Sequence, residues 1–283
     1  MEYETLISVD ELRGLLEDAR PVLVLDCEFD LAAPEKGGQI YAAGHLPGAR
    51  HAHLDDDLAG NPDGANGRHP LPDREAFGAW LRRLGLNSGQ QAVAYDSNGG
   101  AWAARAWWLL RWMGHRQVAV LDGGKPAWVA AGLPIEAGTP PRPHEGDFTA
   151  GQPLVGAPVT AAEVLANIDG GEAQVLDARD PSRFRGDPNP LDPVAGHIPG
   201  ARNRFFRDNL GSDGRFRSAG ELAAEFTALL QGRSALLQCG SGVTACHNAL
   251  AMEIAGLPAN RLYPGSWSEW ISDPTRPVAK GED

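Results

Sequence analysis

Two tandem α/β domains, each a parallel sheet flanked by helices on both faces, are predicted by three features of this 283-residue chain. Short apolar runs alternate with amphipathic segments across short connections, the pattern of an open, mostly parallel sheet. A signature recurs, AGHLPGAR at Ala43 to Arg50 and AGHIPGAR at Ala195 to Arg202. Between the copies, Pro134 to Pro158 is crowded with proline and glycine and loses apolar periodicity, as a linker does. The first domain is placed at residues 1–136, the linker at 137–157 and the second domain at 158–283.

In the first copy SVDELRGLLEDA opens a helix, with Ser8 as its cap and an apolar stripe behind it. PVLVLD is a strand, and PDREAFGAWLRRLGL is a helix ending at Gly85. QQAVAY is a strand, GAWAARAWWLLRWMG a helix and QVAVLD a strand. The second copy keeps this order with TAAEVLAN, AQVLD, SAGELAAEFTALL, SALLQ, TACHNALAMEIAG, NRLYP and a last amphipathic segment around Trp267 and Trp270.

The flanks of the repeated signature agree as well. VLVLDCEFD matches VLDARDPSRF, QAVAYDSNGGAWAARAWWLL matches SALLQCGSGVTACHNALAME, and VAVLDGGKPAWVAAGLP matches ANRLYPGSWSEWISDP, which sets Trp128 opposite Trp270. The period is too long for stacked solenoid units, so these are domains, read as a duplication. The linker is long enough to cross one domain and let the two pack about an approximate two-fold axis, with a cleft for a ligand between them.

Composition narrows the function classes. A content of 42% hydrophobic and 22% charged residues is that of a globular protein. The net charge of −12 argues against nucleic acid or an anionic membrane as partner, although arginines concentrated locally would still hold a small anion. No apolar run approaches the roughly 20 residues of a membrane span, and the acidic start MEYETLISVDELRG does not resemble a signal peptide. The expectation is a cytoplasmic protein, a monomer or weak dimer. Cys27, Cys239 and Cys246 form neither a CxxC pair nor a ligand cluster, so a disulfide framework and a zinc site are both disfavoured.

Ser234 to Gly256 carries the chemistry. An apolar strand ends in Cys239, a glycine-containing loop follows, and an Ala-rich helix begins near Thr244. Unpaired amides and the dipole at a helix start favour a thiolate, and a free thiol of pKa about 8.5 is lowered by such placement. Gly240 and Gly242 let several N–H groups turn toward one sulfur. Cys239 is therefore read as a nucleophile. The first copy places Asp96 at the matching position, so only the second domain is thiol-active.

With GHIPGAR, CGSGVTAC and YPGSWSEW in two such repeats, the chain resembles the tandem-domain rhodanese sulfurtransferases over nearly its whole length. The Cys239 to Thr244 loop is similar to that of the 3-mercaptopyruvate sulfurtransferases. The thiosulfate-preferring branch usually has basic residues where this chain has Gly240 and Ser241. The resemblance implies transfer of a sulfane sulfur through a Cys239 persulfide, without metal or organic cofactor. The donor would be thiosulfate or 3-mercaptopyruvate, and the acceptor cyanide, a small thiol or a thioredoxin-like dithiol protein. Main-chain groups of Gly240, Gly242, Val243 and Thr244 would cradle the transferred sulfur.

By the same resemblance Arg183, in DARDPSRFRG, holds the donor's carboxylate or sulfonate, a task suited to a bidentate guanidinium. Its other reading is a surface ion-pair arginine. Of Arg179 and Arg185, at least one faces solvent or holds the Asp177 turn. A second donor-binding arginine of the mercaptopyruvate branch falls near Leu191, a departure that leaves thiosulfate open. Ser241 and Asp55 resemble the serine and aspartate of a proton relay, and the Asp55 role would require the domains to close over the site. Ser241 also reads as a loop former, and Asp55 as one of three solvated acids. His69, in RHPLP, matches a cleft histidine. His45 and His197 belong to both GHxPG turns and read as structural, as does Cys246 on a buried helical face.

Three other functions compete. A cysteine phosphatase needs Cys-x5-Arg, and the sixth residue after Cys239 is Ala245. A noncatalytic binding or regulatory module would be expected to lose the thiol, as the first copy has. A thiol redox enzyme would need a resolving cysteine close by.

Overall fold

The structure is a computed structural model that describes residues 2–18, 21–257 and 260–282. It divides into two compact units, one of Met1–Gly60, Pro72–Leu154 and Ser212–Arg215, the other of Asn61–Leu71, Val155–Gly211 and Phe216–Asp283.

The first unit runs β1 (Leu6–Ile7), α1 (Val9–Glu17), β2 (Val22–Asp26), α2 (Glu35–Ala43), β3 (Arg50–His51), α3 (Arg74–Arg83), β4 (Gln91–Tyr95), α4 (Ala103–Trp112), β5 (Val118–Leu121) and α5 (Gly124–Ala130). Its sheet has the order β1-β5-β4-β2-β3 with every pairing parallel. Helices cover both faces of such a sheet, which is why VLVLD and QAVAY are near-continuous apolar runs rather than alternating ones. Ser8 closes a capping box on α1: its hydroxyl accepts from the Glu11 amide, and the Glu11 carboxylate accepts from the Ser8 amide at 2.8 Å. A cap of this kind contributes about 1 kcal/mol.

The second unit runs α6 (Ala161–Gly170), β6 (Ala173–Asp177), α7 (Pro181–Arg185), β7 (Arg202–Asn203), a 3-10 turn (Phe206–Asn209), α8 (Ala219–Leu230), β8 (Ser234–Gln238), α9 (Ala245–Ile254), β9 (Asn260–Leu262) and α10 (Ser266–Trp270). The sheet order is β7-β6-β8-β9, again all parallel. Thr160 and Ser218 form capping boxes on α6 and α8. The predicted two-domain α/β architecture is thus the observed one. α5 and α7 escape the sequence reading because they are short, and α2, EKGGQIYAA, because it lacks a sustained apolar stripe.

The repeat is visible in the packing of each unit. Trp128 and Trp270 are both fully buried, and each indole N–H donates to a proline carbonyl at 2.9 Å, Pro134 for one and Pro277 for the other. The histidines of the GHxPG turns are structural: His45 pairs with Glu136 and His197 with Ala279 as isolated antiparallel bridges. His197 also stacks on Phe184 at 3.9 Å with Nδ1 at 2.8 Å from the Phe184 carbonyl oxygen. The proline-rich stretch after α5 follows the first unit, where the amides of Gly138, Phe148 and Leu154 donate to the carbonyls of Ala42, Leu86 and Arg111.

α4 from Ala103 to Arg111 and α9 from Ala245 to Met252 are buried on all sides. Alanines keep α9 slim, and its Asn248 bonds Asn209 and the Arg204 carbonyl at 2.7 and 2.9 Å. Each of these helices follows the loop at the end of a central strand, so the loops start from rigid supports. Among the described residues no helix is long and apolar enough to cross a membrane.

Candidate active site

Cys239 follows the last residue of β8, which lies between β6 and β9, at the carboxyl edge where open parallel sheets place ligand sites. Gly242 turns the loop with φ +77°, and a Cβ there would clash with the Pro264 carbonyl oxygen and stand 2.9 Å from Pro264 Cα. Only glycine fits that turn. The thiol is 2% exposed, and among the described residues one amide meets its sulfur, that of Ser241 at 3.5 Å. The expected convergence of several amides on Sγ is therefore not what the loop presents. The amides of Val243 and Thr244 have no acceptor among the described residues.

The first unit shows what such a loop solvates. Asp96 occupies the matching place, and its carboxylate accepts from the amides of Asn98 and Gly100 through Oδ1 and of Trp102 and Ala103 through Oδ2, all at 2.8–2.9 Å. A carboxylate oxygen lies one bond further from the backbone than a cysteine sulfur. The two loops differ at Gly100, with φ +87°, where Val243 is not left-handed.

The first turn of α10 supports the loop from the other side. Cys239 N–H donates to Ser266 Oγ at 3.1 Å, and the amides of Trp267 and Ser268 donate to the carbonyls of Cys239 and Gly240 at 3.0 Å. Ser266 is fully buried with φ +52°, a conformation unusual for a non-glycine residue. In the first unit Gly124 holds the matching position at φ +57°.

Arg68 and His69 belong to the second unit although they precede the linker by far. His69 Nδ1 lies 2.7 Å from Ser241 Oγ, with both residues 6% exposed. The structure thus joins two sequence-predicted residues beside Cys239. Asp55 is in the first unit, exposed in the turn after β3, where desolvation raises its carboxyl above the usual range.

Arg183 projects from α7, and both arms of its fork bind Asp192 at 2.8 Å. Asp192 also meets Arg179 at 3.4 Å and Arg68 at 3.9 Å. Burial alone would raise the Asp192 carboxyl, but the bonds from Arg183 and the charges of Arg183, Arg179 and Arg68 hold it below the usual range. Arg179 is fully buried, binds Asp177 through Nε and Nη2, and lies 4.7 Å over the Trp267 ring. Arg179 holds the Asp177 turn, and Arg185 faces solvent beside Asp187. Three guanidiniums therefore face two carboxylates at this edge.

Gly240 is buried beside this cluster. A Cβ on it would stand 2.9 Å from Arg68 Nη2 and 3.0 Å from Arg183 Nη2. Arg68 Nη1 donates to the Leu191 carbonyl at 2.9 Å, so this site is approached by a guanidinium through Arg68 rather than through residue 191. Sequence reading missed Arg68, Asp192 and Ser266. Arg68 adjoins His69 in RHPLP and Ser266 lies in the quoted YPGSWSEW, but neither has a partner within reach along the chain. Cys246 is fully buried with Sγ 3.3 Å from the Gly242 carbonyl oxygen.

Similarity to known proteins agrees with this arrangement. Two bacterial relatives carry provisional names. One, named a 3-mercaptopyruvate sulfurtransferase of Pseudomonas aeruginosa, is 49% identical over 100% of both chains. The other, named a thiosulfate sulfurtransferase of Mycobacterium tuberculosis, is 42% identical over 98% of both. The solved structure of the 3-mercaptopyruvate sulfurtransferase from Leishmania major superposes with a TM-score of 0.83 at 30% identity, covering 94% of this chain and 74% of that one. The rhodanese-like domain matches residues 8–131 and 160–273, one match in each copy of the repeat, and the chain belongs to the rhodanese family.

Proposed function

We propose that the chain is a sulfurtransferase in which Cys239 takes a sulfane sulfur from a small anionic donor, holds it as a persulfide and passes it to a thiophilic acceptor. The observation that carries this reading is the pair of matched loops. In one, four amides bind an anion one bond beyond the position of a thiol sulfur. In the other the residue is the shorter cysteine, and two loop amides, those of Val243 and Thr244, lack an acceptor among the described residues. An outer persulfide sulfur would extend Cys239 by one atom toward the position that the carboxylate oxygens fill in the first unit.

With 3-mercaptopyruvate, the thiolate attacks the donor sulfur, an S–S bond forms, and the C–S bond breaks with its electron pair passing to pyruvate enolate. That leaving group needs a proton. The His69 and Ser241 pair at 2.7 Å is a proton source at the site, which favours this donor. The relative of Mycobacterium tuberculosis favours thiosulfate by name, and sulfite leaves without a proton. In the second step cyanide, a small thiol or a reduced dithiol protein attacks the outer sulfur and restores the thiolate, giving ping-pong kinetics. The three free buried cysteines suit a reducing compartment, and we place the protein in the cytoplasm.

The test is intact-mass measurement after incubation with each donor. One added sulfur on the wild type, removed by cyanide as thiocyanate and absent from Cys239→Ser, is the expected result. No adduct with either donor, or an adduct retained in Cys239→Ser, overturns the reading. The ratio of kcat/KM for the two donors assigns the preferred one, and equal or better thiosulfate turnover overturns the preference for 3-mercaptopyruvate.

A further inference from the structure

The loop beside Cys239 carries more positive charge than its own carboxylates use. Arg179 is committed to Asp177, and Arg183 to Asp192. Arg68 has no carboxylate of its own. Its Nη1 binds a neutral carbonyl, that of Leu191, and its nearest ion-pair oxygen is on Asp192 at 3.9 Å. Among the described residues its Nη2 has no hydrogen-bond acceptor. Burial lowers the Arg68 pKa despite Asp192, and the charge of Arg183 lowers it further, so the guanidinium is held where a like charge opposes it.

Its position is built rather than incidental. Gly67 has φ +87°, and a Cβ there would stand 3.0 Å from Gly265 Cα, so only glycine allows the two backbones to meet. The Arg68 amide then donates to Ser268 Oγ at 3.0 Å. This anchoring aims the side chain across Gly240, where Arg68 Nη2 and Arg183 Nη2 approach one point at 2.9 and 3.0 Å. The two nitrogens are therefore no more than about 6 Å apart, a gap that one carboxylate or sulfonate bridges with N–H···O contacts of about 2.8 Å. The arginine side chains are 36% and 18% exposed, so solutes reach both.

We propose that Arg68 is a donor-binding residue, forming with Arg183 a two-guanidinium clamp over Gly240 that receives the anionic head of the sulfur donor next to Cys239. The inference rests on the proposed reading that Cys239 takes sulfur from a small anion. It adds the residue that supplies the second cationic contact, and the missing side chain at Gly240 is what lets both guanidiniums close on the loop. Two cationic arms on one anion fix its orientation as well as its affinity. Arg68 also explains how the site presents a second cation while Leu191 itself offers only a carbonyl.

Two measurements on wild type, Arg68→Lys, Arg68→Gln and Arg68→Ala test this. The first is alkylation of Cys239 by iodoacetate and by iodoacetamide, which differ in charge and need no sulfur donor. Wild type should favour the anionic reagent relative to Arg68→Ala by about tenfold, with the iodoacetamide rate nearly unchanged and Arg68→Lys in between. The second is donor kinetics, where Arg68→Ala and Arg68→Gln should raise donor KM tenfold or more with a smaller change in kcat.

An equal loss of both alkylation rates, or unchanged charge selectivity and KM in a variant of wild-type unfolding midpoint, overturns the clamp. If Arg68→Ala does not fold, the Lys and Gln variants carry the same comparison. Failure of the wild type to form a persulfide overturns the sulfurtransferase reading instead, and the alkylation arm separates the two.

Discussion

The Cys239 amide donates to Ser266 Oγ at 3.1 Å, and Ser266 accepts it from a buried position with φ +52°. The same hydroxyl donates to the Tyr263 carbonyl at 2.9 Å, so one side chain joins the strand end, the loop and the start of α10. Ser266→Ala should leave a buried N–H unpaired and cost about 1–3 kcal/mol. Ser266→Gly loses the same bond but relieves the left-handed backbone, which is worth about 1 kcal/mol. Urea unfolding of the pair should rank Gly above Ala, with turnover reduced in both. Identical midpoints in the two variants would show that the φ angle does not matter, and midpoints equal to wild type that the bond does not.

Asp192 is the common partner of three arginines, and its carboxyl is held below the usual range. A carboxylate depressed in the folded state adds stability above its unfolded pKa and loses it as pH falls through the folded pKa. Asp192→Asn should therefore destabilise the protein near neutrality by about 3 kcal/mol, with the gap to wild type closing in strong acid. Denaturant midpoints against pH would check this, and a constant gap down to acid would contradict it.

Glu28 gives the opposite sign. Burial pushes its carboxyl up to about 7, against the bond from Ser97, with Asp96 and Asp26 raising it further. A group whose folded pKa is raised adds stability below its unfolded pKa and loses it as pH rises through the folded one. Stability should fall by on the order of 2 kcal/mol between about pH 5 and about pH 8. Glu28→Gln should flatten that slope in pH-dependent unfolding. A slope identical in the two proteins would assign the effect elsewhere.

A methyl group on Gly240 would sit 2.9 and 3.0 Å from the two guanidinium nitrogens. Gly240→Ala should raise donor KM several-fold in steady-state kinetics while iodoacetamide still alkylates Cys239. Loss of alkylation as well would mean that the substitution collapses the loop rather than displacing the two guanidiniums.

His69 Nδ1 and Ser241 Oγ lie 2.7 Å apart. Their alanine variants should be non-additive in kcat, with a coupling of about 1 kcal/mol. The effect should be larger with 3-mercaptopyruvate than with thiosulfate, since only the enolate leaving group takes up a proton. Additive losses of equal size with both donors would remove the pair from proton transfer.

Most of the fold follows from local pattern. Continuous apolar runs such as VLVLD and SALLQ specify buried parallel strands, and Ser8 and Ser218 mark helix starts through bonds that span three residues. The thiol at a strand end is equally local, as is the replacement of cysteine by Asp96. The site is different, because its decisive contacts join positions far apart. His69 and Ser241 are separated by 172 positions, and Arg68 and the Leu191 carbonyl by 123. Arg183 was legible as a cation near the site, but its commitment to Asp192 was not. The sequence alone determined which thiol stands between a strand end and a helix start and what kind of sheet presents it, because period and turn chemistry act between neighbours. Only the tertiary structure decided which charges surround that sulfur, because desolvation and pairing depend on side chains that the chain brings together after folding.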